Sequence, residues 1–400
     1  MRGYYINMGF LIFLTILFIF LTVYVYAGYF ILLLILEKLL PSPPPPSATD
    51  LPSVSLIIAA FNEEDVIRKK LENTRELDYP REKLQVMVVA DGSSDATAVI
   101  AQEFEGEGVV VLFSPERKGK SAAINRGVQE ASGDILVFSD ANAYYLPDAL
   151  QNLLLHYADE TVGCVSGKKT VRESDSQIAE SEGLYWRFES SLKKLETRTG
   201  STVGVVGEMN SLRRTLFEPI PGHIINDDSF LALRILSQAY RVVYEPRAVS
   251  WETSAATTSD EIKRRQRINA GRYQQMFMFG LWTGMPLFTM FKLISHKFFR
   301  LLLPFFMIGA FLFNTLLLFM PDRPLLMLVL WFLQFAAYDA ALMGYVLEKA
   351  GKKNKLLSAL YYIVSSNIAS LRGFFRYITG QQTVLWEKAN RSAATETDKQ

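Results

Sequence analysis

The chain has 400 residues, 50% of them hydrophobic, and a formal net charge of +1. This length allows a soluble domain of about 200–250 residues together with membrane segments, and the near-neutral charge excludes the basic surplus of a typical nucleic-acid-binding protein. The single cysteine, Cys164, excludes an internal disulfide and is typical of a reducing compartment, where we expect it to be a small buried residue.

The N-terminal region is the first membrane candidate. No charged residue occurs between Arg2 and Glu37, and residues 6–36 would extend for about 46 Å as a helix. Because a hydrocarbon core is about 30 Å thick, this length predicts one long or tilted span. No Ala-x-Ala-like cleavage site follows it, so we predict a retained anchor rather than a signal peptide. A stiff, proline-rich spacer follows at residues 41–52.

Residues 53–249 alternate short β-rich runs with helical stretches. We predict strands at residues 54–60, 84–91, 108–113, 134–140 and 162–167, and helices at residues 64–75, 96–104 and 121–130. Buried apolar strands that alternate with helices predict an α/β domain, with a mostly parallel sheet and helices on both faces.

The C-terminal region is mostly apolar. Two membrane spans are predicted at residues 301–319 and 325–346, and residues 276–291 and 356–375 are expected to lie at the membrane interface or to be partly embedded. A basic loop follows the second span, at Lys349, Lys352, Lys353 and Lys355. The positive-inside rule places this loop, and the soluble domain with it, in the cytoplasm.

Two polar clusters follow the first two predicted strands. In "AAFNEED" (residues 59–65), a strand-to-helix turn can offer backbone N–H groups to a nucleotide, or Asn62 can simply cap the helix. In "VVADGSSDAT" (residues 88–97), the Asp91 carboxylate can accept a hydrogen bond from a uracil N–H or a ribose hydroxyl. An ordinary junction between strand and helix explains the second cluster equally well.

The stretch "GDILVFSDANA" (residues 133–143) predicts a cation site. Asp140 and Asn142 are two residues apart in an extended segment, so their side chains point the same way. Mg²⁺ and Mn²⁺ prefer oxygen ligands and bind through few protein groups plus diphosphate oxygens. Asn142 is a neutral amide, so the charge would come from Asp140 and the nucleotide. Lys120, in "KGKSAAIN", is placed to meet phosphate charge.

Two further clusters have both a functional and a structural interpretation. Asp227 and Asp228 begin an amphipathic helix in "INDDSFLALRI" (residues 225–235), where an acid either stabilises the helix N-terminus or acts as a general base. In "KRRQR" (residues 263–267), Arg264 and Arg267 share one helix face. Two guanidinium groups can hold a departing diphosphate, or the patch can bind anionic lipid.

In this order, the motifs resemble those of the membrane-bound, processive-type family 2 glycosyltransferases with a GT-A fold, which include cellulose, chitin, hyaluronan and poly-N-acetylglucosamine synthases. The resemblance covers about residues 53–274. It rests on Phe61-Asn62-Glu63, Asp91, "KSAAIN", Asp140-Ala141-Asn142, "VVGEMNSLRR" (residues 205–214), Asn226-Asp227-Asp228 and residues 264–268.

The chain departs from the family pattern at two of these positions. Asn142 stands where the second acid of the D-x-D motif is expected. Ile268 stands where the family has a tryptophan that would stack on the acceptor sugar, and Tyr273 and Trp282 are the candidates to replace that aromatic surface.

The resemblance implies that a sugar is transferred from a UDP-sugar to a hydroxyl acceptor with inversion at the anomeric carbon. Asp228 would be the base, and Asp140 with Asn142 would hold Mg²⁺ or Mn²⁺. The implied nucleotide-sugar-binding residues are Ala59, Phe61, Glu63, Asp91, Ser93, Lys120, Asp140, Arg264 and Arg267. The implied acceptor-binding residues are Glu208, Asp227 and Ile268.

The sequence therefore predicts six segments, namely a membrane anchor (1–40), a linker (41–52), a cytoplasmic GT-A domain (53–274), interfacial helices (275–297), a membrane or interfacial region (298–376) and a polar tail (377–400). We expect a multi-pass protein of the inner (plasma) membrane that makes an extracellular or envelope polysaccharide. Two alternatives stay open, a single-transfer enzyme acting on a membrane lipid and a non-catalytic nucleotide-binding partner protein. The few spans leave little room for a complete channel, so a partner subunit or a homo-oligomer is also left open.

Overall fold

The computed structural model describes residues 2–41, 43, 50–172, 177–253, 258–352 and 354–385. Most of the predicted linker, Lys353 of the basic loop and residues 386–400 of the tail lie outside the described residues. An α/β domain lies between long apolar helices that come from both ends of the chain.

An eight-stranded sheet in the order β3-β2-β1-β4-β7-β6-β8-β5 forms the centre of the domain. Its strands are β1 (Val54–Ala60), β2 (Leu84–Asp91), β3 (Val109–Ser114), β4 (Ile135–Asp140), β5 (Tyr144–Tyr145), β6 (Val162–Arg172), β7 (Asn210–Arg213) and β8 (Arg241–Thr253).

The sheet is parallel where the sequence predicts it and mixed beyond that point. Strands β1 to β4 pair in parallel, and β6 pairs in parallel with β8. Strand β7 is antiparallel to both β4 and β6, and β5 is antiparallel to β8. The predicted α/β class is confirmed. The antiparallel strands β5 and β7 are only two and four residues long, too short for a recognisable alternating pattern.

The helices are α1 (Arg2–Val23), α2 (Tyr29–Leu39), α3 (Glu64–Arg75), α4 (Thr97–Gln102), α5 (Lys120–Gln129), α6 (Ala149–Leu154), α7 (Gln177–Arg198), α8 (Asp227–Ser237), α9 (Thr258–Phe277), α10 (Leu287–Leu293), α11 (Phe299–Leu318), α12 (Leu325–Lys349) and α13 (Lys355–Ile378). Short π-helical segments at Tyr24–Gly28 and Ile294–Phe298 join α1 to α2 and α10 to α11.

Both faces of the sheet are covered by apolar side chains. Alternation along β1 sends Leu56 and Ile58 into one core and Ile57 into the other. The first core includes side chains from α3 and α6, and the second includes side chains from α5 and α8. Cys164 lies in the second core and is buried, as predicted.

Three helical segments in the described part of the chain are long and apolar enough to cross a membrane, namely Asn7–Leu39, Leu287–Leu318 and Leu325–Lys349. The second runs unbroken through residue 298, where the sequence suggested a boundary between interfacial and membrane segments. Its polar side chains do not end the helix because Lys292, Ser295 and His296 are buried against other parts of the protein.

A buried polar cluster fixes this second helix to α7 of the α/β domain. Glu196 accepts hydrogen bonds from Tyr29 Oη (2.7 Å) and Thr202 Oγ1 (2.8 Å), and lies 2.9 Å from His296 Nδ1. Lys292 Nζ donates to the carbonyl oxygens of Glu196, Thr199 and Ser201 at 2.9–3.0 Å. The cluster therefore joins two of the apolar helices to the loop that follows α7.

We predict that Glu196→Ala strongly destabilises the protein, because it leaves buried donors around it without their acceptor. The expected loss is about 3–5 kcal/mol in the free energy of unfolding, measured by denaturant titration of the full chain in detergent micelles. Lys194→Ala, at an exposed site on the same helix, is the control and should change stability by less than about 0.5 kcal/mol. Equal effects of the two variants would contradict this role for Glu196.

Candidate functional site

The site begins at the carboxyl ends of the parallel strands. Ala59 of β1 is in register with Asp140 of β4, and Ala60 is in register with Ala90 of β2, one residue before Asp91. Because neighbouring strands are about 4.8 Å apart, the two carboxylates lie on either side of the end of β1. This edge is where open α/β sheets bind ligands.

The loops that follow β1 and β2 are tied together by Asn62. Its backbone N–H donates to Ser93 Oγ (3.1 Å), and its side-chain Oδ1 accepts from Ser94 N (2.9 Å). Asn62 has a φ of 53°, a left-handed conformation that asparagine tolerates better than most residues. Asn62 therefore links two loops and does not cap α3, whose N-cap residue is Glu63.

Asp91 is buried with one carboxylate oxygen satisfied and the other available. Oδ2 accepts hydrogen bonds from the backbone N–H groups of Lys118 (2.9 Å) and Gly119 (2.6 Å). Oδ1 is buried and has no hydrogen-bond partner among the described residues. A buried acceptor without a partner is costly, so Oδ1 is suited to an N–H or O–H donor of a ligand.

Arg117 and Phe61 form one wall of the same cleft. The guanidinium carbon of Arg117 lies 3.7 Å from the centroid of the Phe61 ring, within the range of cation–π attraction. The turn at Gly92 allows this approach. Gly92 has a φ of 71°, and a Cβ built on it would lie 2.6 Å from the Arg117 backbone. Any larger residue at this position would displace Arg117.

The cleft is partly open to solvent. Its lining residues come from four loops that the sequence places far apart. They are Ala59, Ala60, Phe61, Glu63, Asp91, Arg117, Gly119, Lys120, Ala123, Asp140, Ala141 and Asn142.

Lys120 connects this cleft to the start of α8. Its Nζ lies 2.7 Å from Asp140 Oδ1 and 3.4 Å from Asp227 Oδ2. Burial opposes the charged form of the amine, but the carboxylates of Asp140 and Asp227 raise the pKa of Lys120 above its usual value. Lys120 therefore carries a positive charge between the two acids.

Asp228 lies beside this pair, in the first turn of α8. Burial, followed by the charge of Asp227, raises the pKa of Asp228 to about 6, although Lys120 acts in the opposite direction. Its Oδ1 accepts a hydrogen bond from Ser229 N (2.7 Å). A Cβ built on Gly207 would lie 3.2 Å from Asp228 Oδ2, so the 205–210 segment passes directly over this carboxylate.

Helix α9 is held against the start of α8. Asn226 Nδ2 donates to Ile268 O (2.8 Å), and Gln275 Nε2 donates to Asn226 O (2.8 Å). Arg267 donates to Ile225 O (3.3 Å). Burial lowers the pKa of Arg267, whereas Asp227, Asp228 and Asp140 act to raise it. The structure thus places Arg267 near all three acids.

The two neighbours of Arg267 in the basic cluster have different surroundings. Arg264 interacts electrostatically with Arg267 and with Lys169, so it lies toward the site. Arg265 donates to Ser366 Oγ (3.0 Å) and Tyr362 Oη (2.9 Å) of α13. Arg264 and Arg267 of this basic cluster therefore lie toward the cleft, whereas Arg265 packs α13 against α9.

Glu208 belongs to a buried ion cluster close to Asp228. Lys169 Nζ lies 2.7 Å from Glu208 Oε1 and also pairs with Glu252. Glu208 in turn acts on Asp228, raising its pKa. No sequence motif marks Lys169 or Glu252, which lie in β6 and β8.

The two aromatic candidates for an acceptor-stacking surface differ in their burial. Tyr273 is fully buried, and its hydroxyl donates to Leu301 O (2.5 Å). Trp282 packs against the second core, 5.7 Å from the Phe298 ring in an edge-on arrangement. Because its ring is fully buried, Tyr273 does not replace the absent tryptophan. Trp282 is partly buried in packing the segment after α9.

Lys70 is a site residue that the sequence analysis missed. It is fully buried in α3, lies 4.0 Å from the Tyr145 ring centroid and donates to Ala143 O. Asn73 Nδ2 also donates to Tyr145 O (2.9 Å), and Asn73 Oδ1 accepts from Tyr145 N (2.8 Å). These contacts fix the turn that carries Asp140 and Asn142. Burial lowers the pKa of Lys70 to about 7. A lysine within a helical sequence pattern is normally predicted to be solvent-exposed, so the sequence does not indicate this role.

The residues at the turn fit a hard divalent cation only in part. Asp140 and Asn142 both line the cleft and offer oxygen ligands. The described residues contain no group of three or more acidic, histidine or cysteine side chains that could hold an ion by themselves. A cation here would therefore need further oxygens, such as those of a diphosphate, to complete its coordination.

Fold and sequence comparisons agree with this geometry. Residues 55–220 match the model of Glycosyl transferase family 2. This part of the chain is therefore similar to family 2 glycosyltransferase domains, and its sheet and helices have the GT-A architecture.

Curated relatives and a solved structure give further detail. The chain is 29% identical over 258 residues to a probable glycosyltransferase, YdaM, of Bacillus subtilis, covering 58% of this chain and 57% of that protein. It is 25% identical over 231 residues to the poly-beta-1,6-N-acetyl-D-glucosamine synthase of Staphylococcus aureus, covering 56% of each. The chain thus spans little more than half the length of these relatives. The mannosyltransferase PcManGT of Pyrobaculum calidifontis, solved with GDP-Man and Mn²⁺, superposes with a TM-score of 0.70 at 23% identity, covering 92% of this chain and 99% of that one.

We predict that Lys70→Met weakens binding of UDP with Mn²⁺, because Ala143 O loses its buried donor and the Asp140–Asn142 turn loosens. The affinity should fall on the order of tenfold, as for other residues that support a ligand-binding group, measured by isothermal titration calorimetry on the full chain in detergent. Lys69→Met, at the exposed neighbouring position, is the control and should bind normally. Unchanged affinity in Lys70→Met would show that α3 does not position the turn.

Proposed function

We propose that this chain is a membrane-anchored, inverting glycosyltransferase that transfers a sugar from a UDP-sugar to a hydroxyl acceptor, in the synthesis of an extracellular or envelope polysaccharide. The observation that carries the proposal is the bridge made by Lys120. It joins Asp140, on the donor side of the cleft, to Asp227, the neighbour of the candidate base Asp228. The residues proposed to hold the donor and those proposed to hold the acceptor are therefore close enough for one lysine side chain to contact both.

The donor side is suited to a nucleoside diphosphate. The unpaired Asp91 Oδ1 matches the single N3–H donor of uracil, and Phe61 with Arg117 offers a flat wall for the base. Lys120, Arg264 and Arg267 supply positive charge for the diphosphate. Asp140 and Asn142 would hold Mg²⁺ or Mn²⁺ together with diphosphate oxygens, and the cation would supply charge stabilisation for the leaving group.

The acceptor side supplies the base. In the proposed reaction, Asp228 takes the proton of the acceptor hydroxyl as that oxygen attacks the anomeric carbon from the face opposite the diphosphate. The new carbon–oxygen bond forms while the bond from the anomeric carbon to the diphosphate oxygen breaks, and its electron pair leaves with UDP. A single displacement of this kind inverts the anomeric configuration.

The membrane placement supports a membrane-associated acceptor or product. The cluster around Glu196 joins the catalytic domain to two apolar helices, and α13 packs on α9 beside the site. We propose that the three candidate spans cross the inner membrane and that the catalytic domain faces the cytoplasm, as the basic loop after α12 predicts.

A donor screen tests the proposal. Purified full chain in lipid nanodiscs should release UDP from one or more UDP-sugars with Mg²⁺ or Mn²⁺ present, and should be less active with GDP-mannose. Asp228→Asn should lower kcat by about 10²–10⁴-fold, whereas Asp148→Asn, at an exposed position, should not. The size of the radiolabelled product, a high-mass polymer or a single glycolipid, separates the polysaccharide synthase from a lipid glycosyltransferase.

Two results of this screen would contradict the proposal. Native activity in Asp228→Asn would remove Asp228 as the base. Binding of UDP without release from any nucleotide sugar would favour a non-catalytic nucleotide-binding protein.

The raised pKa of Asp228 predicts that a plot of kcat against pH has an acidic limb, along which kcat falls as the pH is lowered. Because the base must be ionised, kcat should fall as the pH drops through about 6. Lys120 lowers the pKa of Asp228, so Lys120→Gln should move the limb upward by about one pH unit. The measurement is UDP release at saturating donor between pH 4.5 and 8.5, and a limb that stays in place would show that Lys120 does not act on the base.

A further inference from the structure

Helix α12 has a carboxylate in the middle of an otherwise apolar outer face. Asp339 lies 14 residues after Leu325 and 10 residues before Lys349, which places it about 21 Å and 15 Å from the two helix ends at 1.5 Å per residue. In a hydrocarbon core of about 30 Å, this short side chain is too far from either surface to reach water.

Two other polar side chains of α12 have partners on its inner face. Trp331 Nε1 donates to Thr315 Oγ1 (2.9 Å), and Gln334 Nε2 donates to Met307 O (3.3 Å), both on α11. On the same helix, Gly344 packs directly on the backbone of Leu357 in α13. Neighbouring helices therefore cover the inner face, whereas Asp339 is exposed on the outer one.

Asp339 is part of a regular stripe. The exposed residues along this face recur at intervals of four, three, four and three, which is the spacing of a helix–helix contact. We call the following residues the α12 stripe: Phe332, Ala336, Asp339, Met343 and Val346. Phe332 and Met343 are 58% and 52% exposed, so the face is open, and Ala336 lets another backbone approach closely.

We infer that the α12 stripe docks a transmembrane helix of a different protein, which places a cationic side chain opposite Asp339. An unpaired carboxylate facing lipid is costly, and such groups pair with other polar groups. The inference rests on the proposed membrane placement of α12, but not on the transfer reaction.

A second copy of this chain does not offer the required partner. The span Asn7–Leu39 has only one cation, Lys38, at its end. The cations of Leu287–Leu318 already contact the catalytic domain. Lys292 donates to α7 and to the loop after it, while Lys297 and Arg300 pair with Glu189. Contact between two copies of the stripe would place Asp339 against Asp339, which like-charge repulsion disfavours.

The experiment uses photo-crosslinking of the full chain in membranes of its source organism. Because the single native cysteine is buried, Met343→Cys can be labelled selectively with a benzophenone maleimide. Ala337→Cys is the matched control. It is exposed at nearly the same depth as Asp339 but lies about 140° round the helix from the centre of the stripe.

The Met343→Cys chain should give one adduct with another membrane protein, and Ala337→Cys should not. Adding Asp339→Leu should lower the adduct yield about fivefold or more, while the amount of chain in the membrane is unchanged. Asp339→Lys should also lower the yield, and placing aspartate at the position of the cation in the identified partner should restore it.

Three outcomes would overturn the inference. They are an adduct of the chain only with itself, no protein adduct from Met343→Cys, and a yield that neither Asp339→Leu nor the charge exchange alters. UDP release from the same membranes is measured separately. Asp339 is remote from the cleft, so loss of transfer activity in every sample would count against the proposed function. The crosslinking result could still be interpreted.

Discussion

The paired contacts of Lys120 with Asp140 and Asp227 are the constraint on which the site depends. A largely buried ammonium group needs charged or hydrogen-bonding partners close to it. For Lys120 these partners are carboxylates, so the end of β4 and the start of α8 must meet at the first turn of α5. These two acids are 87 residues apart in sequence (227 − 140), yet one side chain spans them. Lys120 also offsets the negative charge of these two acids in the cleft.

A second electrostatic cluster links the domain to its apolar helices. Glu196 and Glu189 each contact side chains from the helical segment 287–318, and Tyr29 adds a contact from α2. Although burial alone would raise it, contacts with His296 and Tyr29 hold the pKa of Glu196 at about 2. The loop after α7 continues into the segment over Asp228, so the same cluster that orients the apolar helices also supports the side of the cleft beside Asp228.

The two departures from the family pattern have different consequences. Asn142 lies beside Asp140 in the cleft, where an amide oxygen contributes a ligand without charge. Ile268 lies next to Arg267 in α9, and its carbonyl holds Asn226 at the start of α8. The backbone role of position 268 is therefore kept, while the flat surface of a tryptophan is lost. An acceptor would be held by hydrogen bonding and charge around Glu208 and Lys169 more than by stacking on this residue.

The sequence by itself determined the parallel half of the sheet and the polar groups at its edge. Apolar runs such as residues 54–60 and 84–91 specify strands through local pattern, and the carboxyl ends of parallel strands share one edge whatever the rest of the fold does. The same local reasoning located the long apolar helices, since a span of this length has few other structures open to it.

Only the tertiary structure decided which groups meet. Three contacts of this kind join residues that are 28 to 73 positions apart. They are the hydrogen bond from Lys70 to Ala143 O, the ion pair of Lys169 with Glu208 and the hydrogen bond from Tyr273 to Leu301 O. Short antiparallel strands such as β7 and β5 add the same kind of non-local contact. Whether a side chain is buried, and which groups it contacts, depends on residues that are close in space. The local sequence around a lysine or tyrosine in an amphipathic pattern does not show which distant residues will pack against it.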